Sequence, residues 1–68
     1  MNFQKGQLYI SDGLVFEIIE VIRITKWCLT IQMKILNHLF MEDFIFDISS
    51  KELEEKMKLN IIKYLTDK

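Results

Sequence analysis

The chain contains no alanine and no proline, and only one cysteine, one arginine, one histidine and two glycines among its 68 residues. Each shortage excludes something. The single cysteine, Cys28, closes no intramolecular disulfide, so the stapling used by many small secreted domains is ruled out. Cys28 and His38 together cannot complete a four-ligand zinc site within one chain, and no metal or other cofactor is expected. One arginine and scattered lysines, balanced by acids to a net charge of −1, give no basic face for duplex nucleic acid, where phosphate neutralisation supplies most of the affinity. The most apolar run, Leu14 to Ile24, is broken by Glu17, Glu20 and Arg23 and is far too short to span a bilayer. The opening residues Met-Asn-Phe-Gln-Lys-Gly do not read as a signal peptide, so a cytoplasmic location without membrane contact is expected. There is no glycine-rich phosphate loop, no repeat and no low-complexity stretch.

What the chain has in abundance is large apolar side chains. They make up 50% of the residues, and eleven are isoleucine. Small domains bury a smaller share of their surface than large ones. One tiny core cannot shelter so many bulky groups, and exposed apolar patches usually mark a binding surface. Self-association or a partner is therefore expected. The remaining 28% of charged residues keeps the composition globular rather than disordered. Plentiful Ile and Lys with one Arg and no Ala or Pro suits an AT-rich genome, such as that of a low-GC bacterium or its phage.

The length allows one domain, 1–68. Asp12-Gly13 lies between Leu8-Tyr9-Ile10 and Leu14-Val15-Phe16, and Asp-Gly supplies the positive φ angles of a type I′ turn. A tight hairpin with Ser11 opposite Leu14 and Tyr9 opposite Phe16 follows. The second strand runs to about Ile24 and is apolar on both faces, as in a strand buried on both sides or one that switches faces at a bulge. Trp27, Leu29, Ile31, Met33 and Ile35 alternate with Cys28, Thr30, Gln32 and Lys34, a period of two that predicts a third strand with one buried face. Asn37 to Asp43 reads as a loop. Phe44, Phe46 and Ile48 share one face of a fourth strand, and Asp43 and Asp47 could gate its edge. Ser49 and Glu52 fit a capping box, with Ile48 and Leu53 as its hydrophobic staple, which starts a short helix near residues 50–58. Beyond it, either the helix continues to the end of the chain, or Asn60 stops it and Ile61 to Leu65 form a fifth strand. The second is preferred because it relieves an open sheet edge.

The order β-β-β-β-α-β resembles the SH3-like small barrels, including Tudor-like and KOW-like modules. The resemblance covers Gln7 to Leu65. It is carried by Leu8-Tyr9-Ile10-Ser11-Asp12-Gly13-Leu14-Val15-Phe16-Glu17-Ile18, the alternation from Trp27 to Ile35, and the helix from Ser49 to Met57. It implies a mainly β, five-stranded small barrel. The sequence has no KOW glycine signature and no methyl-lysine cage.

Candidate ligand-binding residues are Tyr9, Arg23, Lys26, Trp27 and His38. Aromatic faces stack on nucleobases. The sole arginine is the best candidate for an anion contact, being suited to fork onto a phosphate, although an ion pair with Glu17 or Glu20 on its strand is the role expected first. Trp27 is either packed in a core or interface or is part of the ligand surface, as aromatics near the third strand of SH3-like barrels often are. His38 has apolar neighbours in sequence and no obvious nucleophile, so a catalytic role is not expected. Cys28 reads as a half-buried small hydrophobe. Leu39, Phe40 and Met41 are three consecutive large apolar residues in a loop and are the expected interface. Together these point to a non-enzymatic binding protein that forms a homo-oligomer and captures a small anionic ligand, best a nucleotide, in the manner of short phage proteins that sequester defence signals. The alternative is an interaction module or inhibitor that docks its apolar loop on a host protein.

Overall fold

In the computed structural model, which describes residues 2–38 and 44–67, the first turn is the one Asp12-Gly13 demands. Asp12 and Gly13 have φ of 53° and 77°. They join β1 (Gln7–Ser11) to β2 (Leu14–Arg23) in the expected register, Tyr9 opposite Phe16 and Ser11 opposite Leu14. Asn37 fastens this hairpin from outside. Its amide oxygen accepts from Val15 N at 2.7 Å and its amide nitrogen donates to Gly13 O at 2.9 Å.

β2 resolves its two apolar faces with a bulge. The register with β3 (Leu29–Ile35) shifts between Ile18 and Glu20. Phe16 and Ile18 point into the core before the shift, and Val21 packs against it afterwards. In β3, Ile31, Met33 and Ile35 are buried, as the alternation requires. The strand starts at Leu29 and not at Trp27. The hydroxyl of Thr25 accepts from Trp27 N at 3.2 Å and from Cys28 N at 3.1 Å, so these amides are taken before they can enter the ladder.

β4 (Ile45–Ser49) pairs with β3 and runs into α1 (Ser50–Lys58). Ser49 is the N-cap, its hydroxyl accepting from Glu52 N at 3.1 Å. Ile48 and Leu53 both enter the core. At the far end Asn60, with φ 59°, takes the left-handed position. Asn60 N donates to Met57 O at 3.1 Å and Ile61 N to Lys56 O at 2.9 Å, the paired bonds of a Schellman cap. Ile62 N also reaches Lys56 O, at 3.4 Å. With these amides committed to the cap, β5 begins later than Ile61 and spans Lys63–Asp67.

The five strands form one antiparallel sheet in the order β4-β3-β2-β1-β5. It is not closed into a barrel. Among the described residues ten buried apolar side chains make its core, drawn mostly from β1 to β4, α1 and the approach to β5. One of them is Phe3, ahead of β1, whose ring lies 6.3 Å from that of Tyr9. Phe46 and Ile48 of β4 share an apolar slot of about 190 Å³ with Ile61 and Ile62. Ile61 and Ile62 belong to the helix cap that leads into β5, so the slot lies between β4 and that cap.

Candidate functional site

The five residues between β2 and β3 form a braced loop. Ile24 N and Thr25 N both donate to Cys28 O, each at 3.2 Å, and the Thr25 hydroxyl takes the two amides described above. With no glycine to help it turn, the loop is held by a threonine side chain. Braced in this way it carries Trp27 out into solvent, 84% exposed. Exposed tryptophan is costly to leave idle and is enriched at binding hot spots.

Beneath the loop lies a cleft of about 230 Å³ lined by Phe3, Arg23, Lys26, Trp27, Cys28, Leu29, Ser50 and Glu54. The bulge in β2 places Arg23 on the face of Val21, toward the cleft. Glu17 and Glu20 lie on the other face. Ser50, the first residue of α1, joins the two walls, its hydroxyl accepting from Leu29 N at 3.2 Å. Cys28 is half-buried, and its Sγ lies 3.7 Å from Leu29 O. A flat ring can stack on Trp27 at about 1–3 kcal/mol per base, while Arg23 and Lys26 offer positive charge beside it.

The structure thus brings Arg23, Lys26 and Trp27 together and leaves the other two expected ligand residues elsewhere. Tyr9 is fully buried in the core, its hydroxyl donating to Gln7 Oε1 at 3.0 Å. Its ring packs edge-on against Tyr64 at 5.7 Å. Burial pushes the Tyr9 phenol up to about 12, with Tyr64 and Asp67 adding to the effect. His38 follows the far end of β3 from Trp27 and is half-buried; a seven-residue strand separates the two by roughly 23 Å. The expected interface, Leu39, Phe40 and Met41, lies outside the described residues.

Sequence reasoning missed Phe3, Ser50 and Glu54 as cleft residues. Phe3 sits outside any periodic pattern, and the helical pair reaches the loop only through the tertiary fold. A larger hollow of about 620 Å³ runs along α1 between Lys51, Glu54, Glu55, Lys58 and Leu59, but one helix supplies all of its walls. Among the described residues no group of three or more His, Cys, Asp or Glu is placed to hold a metal ion, and no helix is long and apolar enough to cross a membrane. Compared with protein families, curated proteins and solved structures, the chain matches none.

Proposed function

We propose that the protein is a non-enzymatic, cytoplasmic binding protein that assembles as a homo-oligomer and captures a compact anionic ligand, a nucleotide, in the cleft under the β2–β3 loop. The observation that carries this is Trp27. It stands exposed on a loop held by four hydrogen bonds, over a cleft that also presents Arg23 and Lys26. The apolar surplus supports assembly. Ile22 and Ile24 are exposed beside the loop, and Phe44 and Ile45 at the β4 edge. Leu59, Ile61, Tyr64 and Leu65 are exposed along the C-terminal segment. A sequestering role of the phage anti-defence type is consistent with a binder of this size that needs no catalytic group.

We assign the architecture to the SH3-like small barrels with an open seam. The meander from β1 to β4, the late helix and the return of β5 beside β1 support it.

The test is native mass spectrometry of the purified protein followed by calorimetry against nucleotides. Ligand binding that disappears in Trp27→Ala and Arg23→Gln, with assembly mass unchanged, supports the reading. Absence of nucleotide binding by the wild type at millimolar ligand counts against it. A second reading, an interaction module for a host protein, is favoured by Phe44 and Ile45, which expose apolar surface at the start of β4. Capture of one host protein that is lost in Phe44→Asp would favour that reading.

A further inference from the structure

We propose that the slot between β4 and the cap of α1 is a further binding site, one that takes a small monocarboxylate with a compact apolar body. It shares no lining residue with the cleft under the β2–β3 loop and stands independently of how that cleft is read. Its floor is the core itself, since Phe16, Met33, Ile48 and Ile62 are all buried. Half-buried Phe46 and exposed Ile61 complete the apolar walls. The polar atoms along these walls are already taken. The Ser11 hydroxyl donates to Ile61 O at 2.8 Å. Lys56 O accepts from Ile61 N at 2.9 Å and from Ile62 N at 3.4 Å. Water held in a protein needs about three hydrogen bonds, and this lining has few to give. Interiors are otherwise close-packed, and a dry apolar hollow of about 150 Å³ accepts a benzene-sized guest. At about 190 Å³ the slot is of that order.

Charge sets the head group. Lys56 is the one charged residue that lines the slot among the described residues, and its ammonium is a donor-only cation. An anionic head meets it while the apolar body stays among phenylalanine and isoleucine. The carbonyls at this end of α1 do not oppose the anion, because the cap amides occupy those of Lys56 and Met57. One wall also favours a ring. Phe16 and Phe46 meet edge to face at 5.6 Å, and Phe46 stacks on Phe44 at 6.4 Å. An aromatic body extends that cluster with the same preferred geometries.

Three probes of one shape and different charge test this: phenylacetate, 2-phenylethanol and 2-phenylethylamine. Each is titrated into the methyl-labelled full chain at constant ionic strength, and the methyl resonances of Met33, Ile48 and Ile62 are followed by nuclear magnetic resonance. Phenylacetate is expected to shift them saturably and to bind tightest, with the amine weakest. The indole resonance of Trp27, the only tryptophan, should stay unchanged, which separates the slot from the cleft. Lys56→Gln should weaken phenylacetate about two- to fivefold, the range of an exposed ion pair, and leave the alcohol unaffected. Lys58→Gln, on the same helix but outside the slot, should change neither. Ile61→Trp, at a half-exposed position, should fill the slot and abolish binding of all three. The proposal is overturned if millimolar phenylacetate leaves the three methyl signals in place, if the amine binds as tightly as the acid, or if Lys56→Gln binds phenylacetate like the wild type. None of these results bears on nucleotide binding under the β2–β3 loop.

Discussion

Two aromatic residues show how much depends on where a side chain ends up. Tyr9 is sealed in the core and Trp27 stands in water. Burial is the main reason the Tyr9 phenol is raised to about 12; the Tyr64 phenol is raised first by its hydrogen bond to Asp67, at 2.6 Å. An unfolded chain ionises its tyrosines near pH 10, whereas the fold keeps Tyr9 protonated. Stability is therefore full below pH 10 and falls between pH 10 and about 12. Tyr9→Phe loses the bond to Gln7 and should cost about 1 kcal/mol at neutral pH, but it should flatten the alkaline fall. Urea denaturation at pH 8 and pH 11 checks this, and an unaltered slope would show that burial of Tyr9 is not its cause. Trp27→Ala should leave stability within about 0.5 kcal/mol, as for other exposed positions, because nothing in the core leans on it.

At the level of elements, the ends of α1 are built by side chains and can be tested singly. Ser49→Ala removes the acceptor for Glu52 N and should cost about 1 kcal/mol. Asn60→Gly should be neutral or slightly stabilising, and Asn60→Val should cost about 1–3 kcal/mol, because a β-branched residue resists φ near 59°. Thermal melts distinguish these outcomes. Both ends were legible in the sequence because capping chemistry is local, as is the Asp12-Gly13 turn. The Ile31-Met33-Ile35 face was legible because a period of two needs no knowledge of the partner strand. The loop at 24–28 was not, since nothing marks Thr25 as the residue whose hydroxyl closes it. The start of β5 was misplaced by two residues for the same kind of reason: the cap takes the amides of Ile61 and Ile62. Of the cleft, Arg23, Lys26 and Trp27 lie close together in the chain and could be read from it. Glu54 and Phe3 arrive from the helix and the N-terminal segment, and only the folded sheet brings them there. The two edge strands differ in how they are shielded. β5 carries a bulge against β1 near Leu65, and β4 carries the exposed Asp47; both devices discourage uncontrolled edge pairing.

For the whole molecule, stability and assembly draw on the same small stock of apolar surface. A domain of this length is expected to be stable by only about 3–10 kcal/mol. Leu53 is fully buried and is the one residue of α1 that is. Leu53→Ala should therefore cost about 2–5 kcal/mol and leave much of the population unfolded near 37 °C, as circular dichroism would record. Meanwhile nine large apolar side chains remain exposed among the described residues, Trp27 at 84% and both Ile24 and Leu59 at 63%. In a chain of 68 residues that is a large share of the bulky groups left facing water, and it is the physical basis for expecting a second copy. Light scattering on a size-exclusion column, run across a hundredfold range of concentration, measures this directly. The account predicts a mass at a whole-number multiple, two or more, of the 8.2 kDa chain, and a mass of 8.2 kDa throughout that range would contradict it.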